Sequence, residues 1–220
     1  MRPRRPALAW AAVALLLLVP AAWVGVVPAD SALVLRLHPF EAPAHWPQLW
    51  TAAWAHLSER HLHVNLLAAA VLGLAGLLAG VRRADAAAWL AAWPATHALM
   101  LLEPGLRWYA GASGVLHAGL AVLSVALLRQ GRALLGAAVL LALGGKVARD
   151  VWAGYPLAAL PGADIPVATL SHLSGTLAGL ACATLVAAAG IHQARLPAWL
   201  CGPFGRQRTL DRLRKPRDHP

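Results

Sequence analysis

The sequence predicts an all-α, polytopic membrane protein in which six helices cross the bilayer. Of its 220 residues, 59% are hydrophobic and only 13% are charged, whereas a soluble domain is about a quarter charged. So little charge cannot coat a water-facing globule of this size, which argues against a soluble enzyme, a disordered tail or a coiled coil. Short basic clusters separate the apolar runs, so membrane topology explains the net charge of +10 better than nucleic-acid binding does.

The predicted spans follow the apolar runs of the sequence. Residues 7–27 are apolar between Pro6 and Pro28, and this run is long enough to be retained as a helix rather than removed as a signal peptide. Segment 29–54 is rich in proline and aromatic residues, which is typical of a loop at the membrane surface. The six spans are predicted at residues 7–27, 61–80, 86–102, 113–128, 133–152 and 168–189.

Charge or proline ends most of these runs. Arg82 follows the second span, Glu103 the third and Arg129 the fourth. The fifth run is apolar only over residues 133–145, so it must continue past Lys146 to cross a bilayer of ordinary thickness.

The cations predict the orientation of the chain. With the N-terminus inside, fourteen of the 19 lysines and arginines lie on inner segments, as the positive-inside rule requires. This orientation puts both termini in the cytoplasm, with a membrane domain over residues 1–190 and a basic cytoplasmic tail over 191–220. We expect the membrane to be a bacterial inner membrane. The five cations on outer segments are Arg36, Arg60, Arg107, Lys146 and Arg149.

Three polar clusters stand at the beginnings of the even-numbered spans. Polar groups in spans are costly, so they point to function. Because connections alternate sides, these three beginnings share the outer face. The clusters are His56, His61, His63 and Asn65; Gly111, Ala112, Ser113 and Gly114; and Ser171 with His172.

Small residues predict a close approach of the fourth and sixth spans. Gly175 and Gly179 are four residues apart and form a notch that lets two helix backbones approach. Such an approach would bring His172 within hydrogen-bond reach of Ser113. A neutral imidazole there takes the serine proton and makes the hydroxyl a nucleophile.

Acyl transfer also needs donors for the developing oxyanion. The Ser113 amide lies near a helix N-terminus, and His61 and Asn65 share one face of the second span, so all three are candidate donors. No carboxylate is well placed in the sequence to orient His172. The sequence therefore predicts a Ser–His dyad rather than a triad.

These residues resemble the motifs of the rhomboid intramembrane serine proteases. The resemblance covers residues 50–186 with every element in order, and it implies a six-helix rhomboid-like bundle with Ser113 and His172 as catalytic residues. The second-helix pattern is met by His56, His61 and Asn65, the Gly-x-Ser-Gly motif by Gly111, Ser113 and Gly114, and the His-x-x-Gly-x-x-x-Gly motif by His172, Gly175 and Gly179.

Three segments are similar to the rhombosortase branch of that family. They are the residues around Ser113, the stretch 146–152 and the loop before Ser171. This resemblance implies membrane-anchored protein substrates with a C-terminal Gly-Gly motif, an apolar helix and a basic end. Glycine weakens a helix by roughly 1 kcal/mol per residue, so such a segment unwinds more readily into a cleavable strand. No metal or other cofactor is expected.

Two further features have competing interpretations. His117 lies four residues after Ser113, where rhomboids commonly carry an aromatic residue, and we expect it to stack on His172 or to hydrogen-bond to it. Lys146 and Asp150 are four apart, and we interpret them as a snorkelling pair at the interface, with recognition of the substrate by Lys146 as the alternative.

Two other functions stay open at this point. A catalytically inactive rhomboid-like protein would only bind transmembrane helices, and a serine-reactive fluorophosphonate would not label it. A haem or metal carrier would use histidines paired across spans, with a planar cavity between two facing imidazoles.

Overall fold

The computed structural model describes residues 5–37 and 46–195. A first compact unit, Met1–Val186, contains every predicted site residue, and a second, Ala187–Pro220, is described only at the end of the last helix. The rest of the predicted basic tail lies outside the described residues. Each predicted span overlaps one long helix, namely α1 (Leu8–Val24), α3 (Glu59–Ala79), α4 (Arg83–Met100), α5 (Ser113–Arg129), α6 (Ala133–Ala153) and α7 (Thr169–Arg195).

Short elements occupy the connections between the long helices. The loop between α1 and α3 contains strand β1 (Leu35–Arg36) and the one-turn helix α2 (Gln48–Thr51). Two antiparallel ladders join these connections and add a little strand to the predicted all-α fold. They pair β1 with β2 (Trp108–Tyr109), and β3 (Leu157–Ala158) with β4 (Val167–Ala168).

Polar groups fix the end of the bundle where α4 begins. Asp85 is buried, and its carboxylate accepts a hydrogen bond from the Arg82 amide at 2.8 Å. The other carboxylate oxygen pairs with the guanidinium of Arg129. Since Arg129 is the last residue of α5, this ion pair ties the start of α4 to the end of α5.

The outer faces of the helices are apolar. Leu78 of α3 is 78% exposed, and Trp23 and Trp152 are exposed to 90% and 94%. Large side chains in such positions are unfavourable in water and suit a lipid environment. By length and composition, α3 and residues 169–189 of α7 can cross a membrane, and α1 and α5 are shorter apolar helices. The count of six crossings stays a prediction.

Helix α5 packs against α3, α4 and α6 and also meets α7. A Cβ atom on Gly175 would collide with the carbonyl oxygen of Gly114, and one on Gly179 would collide with that of Ala118. The backbones of α5 and α7 are therefore in direct contact, as the spacing of the two glycines predicts. This contact brings the first turns of both helices together.

We expect Gly175→Ala to lower the free energy of unfolding by about 2 kcal/mol, because the added methyl group overpacks a backbone contact. Thermal unfolding in detergent measures the change. Gly145→Ala is the matched control, since nothing lies within 4 Å of a Cβ atom there, and it should leave stability unchanged or raise it by up to about 1 kcal/mol. Equal effects of the two substitutions would contradict this account of the contact.

Candidate active site

Ser113 is the first residue of α5 and follows a loop of fixed conformation. Gly111 has a φ of +132°, which favours glycine. Its amide donates to the carbonyl of Ala52 at 2.8 Å, and its own carbonyl accepts from the hydroxyl of Tyr109 at 2.8 Å. The loop therefore holds the serine at a helix N-terminus.

Two buried side chains of α4 hold the segment that accepts the Gly111 amide. The Nδ1–H of His97 donates to the carbonyl of Leu49 at 2.6 Å, and the indole of Trp93 donates to the carbonyl of Trp50 at 3.2 Å. In the sequence His97 stands apart from the three polar clusters, and a hydrogen bond to a neighbouring helix is the role expected of it. Its contact shows that it anchors the segment beneath the serine loop.

In this structure the hydroxyl of Ser113 faces other hydroxyls. Ser171 Oγ lies 3.3 Å from Ser113 Oγ, and Tyr109 Oη lies 3.5 Å from it. Ser171 donates its own proton to the carbonyl of Ala168 at 2.7 Å, so Ser113 is the donor to Ser171. Among the described residues, Ser113 Oγ has no hydrogen bond to His172, although both side chains line one cavity.

His172 lies in the first turn of α7 and contacts a carboxylate. Its Nδ1 is 2.9 Å from Oδ2 of Asp150, a residue in the last turn of α6 whose side chain is 0% exposed. The expectation that no carboxylate orients His172 is therefore wrong. The predicted pairing of Lys146 with Asp150 is confirmed, but the carboxylate is buried and only the lysine is exposed, to 42%. The spacing on α6 predicts their pairing, but it does not show that this face meets α7.

His117 both stacks and hydrogen-bonds, with different partners. Its ring lies parallel to that of His172, at a centroid distance of 4.1 Å and an interplanar angle of 13°. Its Nδ1–H donates to the carbonyl of Ser113 at 2.6 Å. His117 therefore supports the imidazole of His172 from one side and is tied to the backbone of the serine.

Two polar side chains of α3 lie near the serine loop. The ring of His61 packs against Gly111, where a Cβ atom would come within 2.6 Å of its Cε1. Asn65 is buried, and its Nδ2 has no hydrogen-bond partner among the described residues. Both residues line the cavity that contains Ser113.

His56 packs against His61 and is fully buried. The two rings meet edge to face with centroids 5.0 Å apart. Burial, and then the neighbouring His61, lower the pKa of His56 to about 4, although its bond to the carbonyl of Trp54 raises the pKa. His56 is therefore a neutral side chain that supports His61.

Several of the polar side chains described above line one cavity of about 1260 Å³. It is bounded by α3, α5, α6, the start of α7 and the loop that carries β3 and β4. Four of the five cations of the predicted outer segments line it as well. The polar residues at its wall include His61, Asn65, Ser113, His117, His172, Arg60, Arg107, Lys146 and Arg149.

One comparison with known protein families finds a match. A model of the rhomboid domain matches residues 43–189, about two thirds of the chain. The chain belongs to the rhomboid family. Rhomboids are intramembrane serine proteases that act on membrane proteins within the bilayer, so this is an integral membrane protein. No curated protein and no solved structure matches the chain.

The described part of the chain contains one group of potential metal ligands, two of which line the cavity of this rhomboid protein. His117, Asp150 and His172 offer ligand atoms within 4.8 Å of one another. Lys146 already bonds to the carboxylate of that group, and its positive charge opposes a metal ion there. The stacked rings of His117 and His172 also leave no room for a porphyrin between them.

The sequence does not assign two residues to the rhomboid site. Tyr109 is buried four residues before the serine, and Asp150 is the only carboxylate that contacts His172 in the described part of the chain. Both act through contacts between distant segments. Periodicity along a single helix does not reveal such contacts.

Proposed function

We propose that this rhomboid protein is an intramembrane serine endopeptidase with Ser113 as nucleophile and His172 as general base. The observation that carries the proposal is that both side chains line one cavity, with Asp150 bonded to the far side of the imidazole. The nucleophile, the base and a group that orients the base are the three parts of a serine-hydrolase triad.

The contact with Asp150 assigns the tautomer of His172. An ionised carboxylate only accepts hydrogen bonds, so Nδ1 carries the proton and Nε2 keeps a lone pair. Ser113 must turn its hydroxyl from Ser171 toward Nε2 before the reaction. Catalytic hydrogen bonds are often unmade in proteins without substrate and form when it binds.

The reaction then proceeds in two stages. As Ser113 Oγ attacks the scissile carbonyl, His172 Nε2 takes its proton and then delivers it to the leaving amine. Water then attacks the acyl carbonyl carbon while His172 Nε2 takes its proton, and His172 returns this proton to Ser113 Oγ as the bond between the acyl carbon and that oxygen breaks. Asp150 stays ionised and stabilises the imidazolium that forms in each stage.

Three donors are available for the oxyanion. The Ser113 amide has no acceptor among the described residues, and neither has Nδ2 of Asn65. The imidazole of His61 lies against Gly111, next to them. Each such donor typically contributes about 2.7–4 kcal/mol to stabilising the transition state.

The proposed topology places the cavity near the outer face of a bacterial inner membrane. Six crossings with both termini in the cytoplasm place Arg82, Arg83, Arg129 and Arg132 on the inner side, in agreement with the positive-inside rule. The cavity then lies toward the opposite side, where water has access for hydrolysis.

The proposed substrates are membrane-anchored proteins with a Gly-Gly motif before a C-terminal apolar helix and a basic end. We expect wild-type protein in liposomes to cleave a reporter with this tail next to the motif, as mass spectrometry of the products would show. A reporter with Leu-Leu in place of Gly-Gly should be cleaved about tenfold more slowly, because its helix unwinds less readily.

Equal rates for the two reporters would contradict the preference for glycine and leave the protease activity standing. Lack of Ser113-dependent cleavage of any transmembrane reporter would contradict the proposed function itself.

A further inference from the structure

Two polar groups meet at one oxygen of Asp150. Oδ2 accepts from the ammonium of Lys146 and from Nδ1 of His172 at 2.9 Å. The lysine nitrogen also lies 3.2 Å from His172 Nδ1. Because an ammonium group and an Nδ1–H both only donate, neither bonds to the other, and both depend on the carboxylate between them.

The carboxylate itself needs a cation. Asp150 has no exposed surface, and a buried carboxylate is stable as an ion only when it is paired. Arg149 pairs with Oδ1 at 3.0 Å, and its side chain is 72% exposed. Lys146 is therefore the cation at the oxygen that His172 uses.

The protonation of Asp150 decides which nitrogen of His172 can act as a base. A neutral carboxyl group can donate its proton to Nδ1, and Nε2 then carries the ring proton. In that state Nε2 faces the cavity as a donor and cannot take the proton of Ser113. A group that keeps Asp150 ionised thus also keeps His172 in the tautomer that catalysis needs.

We propose that Lys146 is a positioning residue of the protease, which holds Asp150 ionised and thereby presents the free Nε2 of His172 to Ser113. This inference rests on the proposed function, because it assigns a role only if His172 is the base. Lys146 touches neither the substrate carbonyl nor Ser113 in this role. Its ammonium group acts through the carboxylate.

The first test replaces Lys146 with methionine, which has a similar length and no charge. We expect Lys146→Met to lower kcat of reporter cleavage by about 10²-fold, the scale of a general-base contribution, with little change in KM. Arg132→Met is the matched control, since it removes one exposed cation from the other end of α6. It should keep activity within about threefold of the wild type.

Chemical restoration of the charge separates a positioning role from a structural one. In a background with Cys182 and Cys201 replaced by serine, Lys146→Cys is alkylated with 2-bromoethylamine, which builds an ammonium on a side chain of lysine length. This treatment should raise activity about tenfold or more, whereas alkylation with neutral iodoacetamide should not.

Two results would overturn the inference: Lys146→Met with near wild-type kcat, or an aminoethylated variant that stays folded by thermal unfolding without regaining activity. If Ser113→Ala is inactive in the same assay, such a result removes the role of Lys146 alone. Cleavage by Ser113→Ala would instead remove the proposed function.

Discussion

Ser113→Ala is expected to lower kcat of reporter cleavage by about 10⁴-fold or more, because the bond-forming oxygen of the proposed mechanism is lost. We expect a serine-reactive fluorophosphonate to label the wild type at Ser113 and not to label this variant. Both measurements use protein reconstituted in liposomes. Substrate binding should persist, since the cavity and its other polar groups are unchanged.

Ser124→Ala is the matched control for this substitution. Ser124 lies on the same helix, is buried and donates to the carbonyl of Ala121, away from the cavity. The Ser124→Ala variant should be labelled at Ser113 and should cleave the reporter like the wild type. A wild type that binds transmembrane segments but is not labelled would favour the inactive helix-binding protein over the protease.

The second large effect is expected for Asp150→Asn. An asparagine side chain can present its amide to Nδ1 of His172, which selects the tautomer with a protonated Nε2. Because a protonated Nε2 cannot take the proton of Ser113, we expect kcat to fall by about 10³–10⁴-fold while the fold is retained. Turnover of the reporter measures the loss, and thermal unfolding checks the fold.

Asp30→Asn, which removes an exposed carboxylate from the first loop, is the matched control and should remain active. If Asp150→Asn retains more than about a tenth of the wild-type kcat, His172 does not depend on this carboxylate, and the original dyad is the better description.

The long helices were predictable because they depend on local sequence. Apolar runs of sufficient length fix their existence, and the four-residue spacing of Gly175 and Gly179 predicts the contact with α5 that the structure contains. The alternation of connections also places the beginnings of α3, α5 and α7 at one end of the bundle. Each of these properties follows from the length of a run, the spacing of residues or the number of connections, which can be read from the sequence.

The missing parts of the site depend on contacts between helices. Asp150 was predicted to pair with Lys146, but the chain alone does not show that their face of α6 turns toward His172. His97 and Tyr109 likewise act on backbone groups of distant segments. The two ladders are only two residues long on each strand, too short to leave an alternating pattern.

The glycine contact between α5 and α7 has a mechanical consequence. No side chain separates the two main chains there, so no change of rotamer can alter the spacing between the turns that carry Ser113 and His172. When a thinner or thicker bilayer tilts one of these helices, the other must tilt with it. The helices can thus change their tilt to match the thickness of the surrounding lipid, while the spacing between the turns that carry Ser113 and His172 stays constant.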